Sequence, residues 1–323
     1  AGCRAAAGPP PPRRTGGRAG VTGRERASPA GALVQRPPPG GRWRVGDREI
    51  PLGRPVVMGI LNVTPDSFSD GGEFDDPSRA IEQAARMLGE GADVIDVGGE
   101  STRPQGAKPV SAAEERARVV PVIGEIARRF PEAVISVDTV KSETAAAALG
   151  AGARIVNDVS GFRLDARMAA LCARERCGVV LMHSRGEVPD MATYRHAVYD
   201  DVTAAVVAEL RASLDGALAS GIDPAAIVLD PGLGFAKRPE HSLAMIAALP
   251  RIAALGRPVL IGASRKRFIG DLTGVRDPSD RQHGTVGANV AALLLGARIF
   301  RVHDVAPSRQ ALDVAWAVIE AAR

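Results

Sequence analysis

Val56-Val-Met-Gly-Ile-Leu-Asn62 is a short apolar run closed by an amide, and Val-Thr-Pro-Asp66-Ser-Phe-Ser-Asp70-Gly-Gly72 follows it as a polar, glycine-containing loop. The run is short and flanked by turn residues, so it reads as a strand buried on both faces. The pattern recurs at 94–97, 134–138, 154–157, 179–182, 227–230, 259–262 and 299–302. The carboxyl ends of these eight strands fall on average about 34 residues apart, the length of one strand-helix repeat.

Between the strands lie helical signals. Asp76 before Pro77 makes an N-cap and N1 pair, and Ser111 with Glu114 forms a capping box. Val119, Val122, Ile123 and Ile126 have the spacing of one buried helical face. Later helices are expected over 200–220, 239–255, 283–295 and 306–322. Eight strand-helix units predict a single α/β domain, a (β/α)8 TIM barrel over 51–323, with a doubly wound open sheet as the alternative.

The 323 residues are 45% hydrophobic, with 36 Gly and 24 Pro, which is enough for a packed core and excludes a wholly disordered or fibrous chain. The longest uncharged apolar run, 284–297, is shorter than the roughly 18 to 20 residues that cross a bilayer, so no membrane association is expected. Three cysteines without a C-x-x-C pair form neither a disulfide framework nor a zinc pattern, and a cytoplasmic location follows as the expectation.

The net charge of +4 conceals an asymmetry. Residues 1–45 hold nine Arg against the single Glu25, and the remainder carries 32 basic against 36 acidic side chains. With its proline runs at 9–12 and 37–39, this segment reads as a disordered basic Pro/Gly/Arg-rich extension. A targeting peptide and a nucleic-acid-binding arm are the competing readings, but the mildly acidic remainder argues against a nucleic-acid partner.

In either architecture ligands bind at the carboxyl ends of the strands. These ends are unusually polar. Asp96, Asp138, Asn157 and Asp230 would converge on one pocket suited to a heterocycle edge rich in N–H donors, the alternative being a structural ion pair of Asp96 or Asp138 with Lys266 or Arg301. Ser264, Arg265, Lys266, Arg301 and His303 follow the last two strands, where such barrels commonly hold a phosphate. Lysine is scarce, with four against 37 Arg, which singles out Lys266 between Arg265 and Arg267. Asn62, Asp66 and Asp70 are hard oxygen ligands that would hold Mg²⁺ beside a phosphate. The glycine pairs match no dinucleotide or nucleotide-phosphate fingerprint.

Together these segments resemble the dihydropteroate synthases of folate biosynthesis. The match rests on 59–72, Asp96-Val-Gly-Gly-Glu-Ser-Thr-Arg-Pro104, Ser136-Val-Asp-Thr139, 156–161, Asp230-Pro-Gly-Leu-Gly-Phe235, Ser264-Arg-Lys266 and Arg301-Val-His-Asp304, in order from about Pro51. The resemblance implies a homodimeric, Mg²⁺-using transferase, the target of sulfonamides. It joins 4-aminobenzoate to (7,8-dihydropterin-6-yl)methyl diphosphate and releases diphosphate. It further implies that Asp96, Asp138, Asn157, Asp230 and Lys266 hold the pterin. Asn62, Arg301 and His303 would engage diphosphate, with Asn62 on the metal, and Phe68, Thr102, Arg103, Pro104 and Phe235 would close over aminobenzoate. Asp70, Lys266, Arg301 and His303 are the expected catalytic residues. Gln105, Ser184 and Arg267 depart from the usual family pattern. The alternatives are a noncatalytic pterin-binding relative and a methyltetrahydrofolate:corrinoid methyltransferase-type barrel.

Overall fold

The computed structural model describes residues 41–64, 77–100 and 110–322. In chain order the elements are β1 (Arg42–Val45), β2 (Arg48–Pro51), β3 (Val56–Asn62), α1 (Pro77–Gly89), β4 (Val94–Gly98), α2 (Ala112–Arg129), β5 (Val134–Asp138) and α3 (Ser142–Gly150). Then come β6 (Ile155–Asp158), α4 (Met168–Glu175), β7 (Gly178–Met182), α5 (Val202–Ala219), β8 (Ile227–Asp230), α6 (Pro239–Ala247) and α7 (Leu249–Ala253). The last are β9 (Leu260–Ile261), α8 (Arg267–Thr273), α9 (Gln282–Leu294), β10 (Ile299–Val302) and α10 (Val305–Ala321).

Strands β3 to β10 form one parallel sheet in the order β8-β7-β6-β5-β4-β3-β10-β9. A parallel bridge between Leu229 and Val259, with Leu229 N–H donating to Pro258 O at 3.0 Å, joins its two ends. The sheet is therefore a closed barrel, and the open-sheet alternative is excluded. Closure rests on a short seam, because β9 has two residues where a longer strand was expected. The helix expected over 239–255 divides at Ala248, since Pro250 lacks the N–H that would continue it. Ser111 caps α2 as predicted, its Oγ accepting from Glu114 N–H at 3.2 Å.

Alternation along the strands sorts the core into two layers. Val57, Ile95, Val97, Ile135, Val137, Val156, Val179, Leu229 and Phe300 pack outward against the helices. Val56, Met58, Val94, Val134, Ile155, Val180, Val228, Leu260 and Ile299 fill the amino-terminal half of the interior. Two residues further along the same inner rows stand Asp96, Ser136, Asn157, Met182, Asp230, Gly262 and Arg301. The lower half of the barrel is thus apolar and the upper half polar.

One boundary needs correction. Residues 42–45, assigned from sequence to the extension, form β1 and pair antiparallel with β2. Trp43 is fully buried among the inner aliphatic residues, with its Nε1–H donating to Ala226 O at 2.9 Å. The hairpin plugs the amino-terminal mouth so tightly that a Cβ on Gly178 would lie 2.7 Å from Val45. Burial of the indole outweighs the basic, proline-rich context that masks it. Residues 1–40 lie outside the described residues.

Candidate active site

Arg301, on the last barrel strand, reaches across the carboxyl end. Its Nε donates to Asp96 Oδ2 at 2.6 Å and its Nη2 to Asp138 Oδ2 at 2.6 Å. Asn157 Nδ2 donates to the same Asp96 oxygen at 3.0 Å. The ion pair weighed as a structural alternative is therefore present, and it joins the proposed pterin acids to the proposed anion-binding arginine. Burial opposes charge on Arg301, but Asp96 and Asp138 outweigh it and raise its pKa above the ordinary guanidinium value. For Asp138, burial raises the pKa despite Arg301, with the Asp96 carboxylate adding to the rise. Asp96 Oδ1 is buried and makes no hydrogen bond, so this acceptor lacks a donor.

Asp230 ends β8 and is followed by a sharp turn. Gly232, at φ +67°, donates its N–H to Asp230 Oδ1 at 2.7 Å, and a Cβ there would lie 2.0 Å from His183 O. Only glycine fits. Burial pushes the Asp230 carboxyl up to about 6, against the pull of the Gly232 N–H and the Lys266 charge. The turn carries Phe235, whose ring centroid lies 4.0 Å from Lys266 Nζ. Burial, and then the neighbouring Arg301, pull the Lys266 ammonium down to about 8.

Asp138, Asn157, Val159, Met182, Asp230, Leu233, Phe235, Gly262, Lys266 and Arg301 line one cavity. Five of the predicted substrate-binding polar residues meet there, and Phe235 shares the wall. Asp96 stands behind Arg301 and Asn157 and does not form part of the lining. Ser264 Oγ and His303 Nδ1 lie 3.0 Å apart, which ties the ends of β9 and β10 together. Asn62 ends β3 beside Asp138: a Cβ on Gly98 would be 3.9 Å from Asn62 Oδ1 and 3.5 Å from Asp138 Cβ. The predicted residues Phe68, Asp70, Thr102, Arg103 and Pro104, together with Asp66 and Gln105, lie outside the described residues.

A second group went unassigned in the sequence reading. Lys237 is 1% exposed, and its Nζ lies 2.8 Å from His183 Nδ1 and donates to Phe235 O at 3.1 Å. His183 Nε2 lies 3.0 Å from Glu209 Oε2, and Arg185 also binds Glu209. The scarcity of lysine pointed to Lys237 as much as to Lys266; what concealed it was its place beyond the Gly-x-Gly turn. Arg265, the first residue of the basic triplet, is taken up by Asp304 at 2.6 and 3.1 Å and sits at φ +59°.

A closed parallel barrel with carboxylates, an amide, an ammonium and a guanidinium converging at its carboxyl end defines an enzyme that grips a small, polar, anionic substrate. The family model described as pterin binding enzyme matches residues 58–303, and this chain belongs to that family. It is 47% identical over 273 residues to the dihydropteroate synthase of Mycobacterium leprae, covering 82% of this chain and 94% of that relative. The fold is similar to that of Xanthomonas albilineans dihydropteroate synthase with 4-aminobenzoic acid, with TM-score 0.80 and 44% identity over 87% of this chain and 99% of that one. The same enzyme in complex with 7,8-dihydropteroate gives TM-score 0.77 and 41% identity, covering 87% and 99%.

Proposed function

We infer that this chain is a dihydropteroate synthase, joining the amine of 4-aminobenzoate to the methylene of (7,8-dihydropterin-6-yl)methyl diphosphate. The observation that carries this reading is the convergence of Asp138, Asn157, Asp230, Lys266 and Arg301 on one cavity. Carboxylates and an amide suit the N–H-rich edge of a pterin, and the two cations suit a ring carbonyl and a diphosphate.

The aniline-type amine is neutral at pH 7 and needs little activation, so the barrier lies in breaking the C–O bond. In a dissociative displacement the methylene–oxygen bond opens, diphosphate departs with the electron pair, the amine nitrogen forms the new C–N bond, and its proton leaves. Arg301 and His303 stabilise the departing charge, while the carboxylates around the ring stabilise the pterin cation. Release of Arg301 towards diphosphate would free Asp138, which lines the cavity, to accept from the pterin.

Magnesium fits this donor set through its substrate. Among the described residues no cluster of three His, Cys, Asp or Glu side chains forms a metal cage, and the Asn62 amide is a single hard ligand. When bound, Mg²⁺ would neutralise charge on the leaving diphosphate. We also propose a cytoplasmic homodimer, for which the exposed Val314 and Val318 of α10 are candidate contact residues.

Purified protein supplied with the pterin diphosphate and Mg²⁺, with and without 4-aminobenzoate, tests the reading by chromatography of dihydropteroate. Aminobenzoate-dependent product and diphosphate release are expected. Absence of both overturns the assignment.

A further inference from the structure

We propose that Lys237 is a positioning residue for the substrate pocket: it clamps the Gly232–Phe235 turn to the end of β7 and thereby holds the Phe235 ring against Lys266. This deepens the proposed function and rests on it.

Two bonds fasten the two segments, and a third braces the turn internally. His183 N–H donates to Asp230 O at 2.9 Å, Lys237 Nζ meets His183 Nδ1 at 2.8 Å, and the same Nζ donates to Phe235 O at 3.1 Å. The clamp therefore ties together the strand end that carries Met182 and the turn that carries Asp230, Leu233 and Phe235, and all four residues line the cavity.

An ammonium donates and cannot accept, so Nδ1 of His183 must be the acceptor and Nε2 must carry the proton. That proton is given to Glu209, 3.0 Å away. Burial, and then the Lys237 charge, pull the His183 pKa down to about 4, in keeping with a neutral ring. Glu209 is thus the outer anchor that selects the tautomer.

Burying an ammonium is costly unless its donors are used. Lys237, nearly as inaccessible as the aliphatic core, spends them on a ring nitrogen and a loop carbonyl rather than on a carboxylate. Burial pulls its pKa down to about 7. The neutral amine still has two N–H donors for the same two acceptors, so the clamp survives its own titration. On the opposite side, the Ala236 N–H donates to Met191 O at 2.6 Å and the Ala236 carbonyl accepts from Tyr199 at 3.0 Å. Ala236 is held in the left-handed region, at φ +46°. Phe235 is thereby fixed from both sides, and its position bears directly on Lys266, 4.0 Å above the ring.

The test is a double-mutant cycle of Lys237→Met and Phe235→Ala, each titrated with the pterin diphosphate in the absence of aminobenzoate. kcat, the KM for aminobenzoate and urea unfolding are measured alongside. Lys237→Met should weaken pterin binding about tenfold, as expected for loss of a charged hydrogen-bond donor, while changing kcat less than about threefold. In the Phe235→Ala background it should add nothing further. Unchanged binding in Lys237→Met, or effects that simply multiply in the double variant, overturns the proposal. Should Lys237→Met fail to fold, His183→Leu, which leaves the bond to Phe235 O, should weaken binding about threefold, and unchanged binding overturns the proposal. Wild-type protein that binds no pterin overturns the functional reading and this inference together, whereas wild-type binding with unaltered variants overturns the inference alone.

Discussion

Arg301 and Asp96 are separated by 205 residues of chain and meet at 2.6 Å across the top of the barrel. The Arg301 Nη2 also donates to Asp138 at 2.6 Å, so one guanidinium bridges two carboxylates and offsets one of their two charges.

Replacing Arg301 with Ala should leave Asp96 and Asp138 buried without a counter-ion. We expect a loss of about 3 kcal/mol in urea unfolding at neutral pH, partly regained on acidification as the carboxylates take up protons. Turnover should be lost as well. Unaltered stability would show that the pair contributes nothing net to the fold.

Lys266→Ala and Asp230→Asn each remove one charged partner from the cavity wall. Each should weaken pterin diphosphate binding by about 10- to 100-fold in equilibrium titrations, the range for hydrogen bonds to charged groups. Pterin affinity unchanged in both would remove these residues from the binding site.

The pKa of Asp230 is raised from 3.8 to about 6 in the folded protein. Between these values the folded state holds more protons than the unfolded state, so this group's contribution to stability declines as pH rises through that window. Asp230→Asn abolishes the decline. Urea unfolding of both proteins from pH 4 to 7 should show the wild type losing ground to the variant by no more than about 3 kcal/mol, with a flat difference above the window.

Trp43→Ala should cost about 3 to 5 kcal/mol of stability, since it empties the plug at the amino-terminal mouth. Under conditions where the variant remains folded, titration should give an unchanged pterin affinity, because the substrate cavity is at the other end. A weakened affinity there would mean that the plug shapes the pocket.

Strand positions were legible because each barrel strand is a short, doubly buried run, and Asp96, Asn157, Asp230 and Arg301 sit two residues beyond an inner aliphatic residue. That same period-two register places them inside the barrel, so these four candidate residues could be placed with the fold, whereas Phe68, Asp70, Thr102, Arg103 and Pro104 lie outside the described residues. Trp43 was missed because a lone aromatic in a basic, proline-rich stretch has no periodic partners to reveal its burial. The Lys237–His183 contact was illegible for another reason: two residues 54 positions apart become neighbours only after the turn at Gly232 folds back on β7. Arg301 could be read as an anion ligand or as an ion-pair partner, and the structure displays the second.

The aliphatic side chains that fill the amino-terminal half of the interior, with the hairpin packed over them, make the barrel a cup rather than a pipe. Anything that reaches the floor formed by Asp138, Asn157 and Asp230 comes and goes through the carboxyl end.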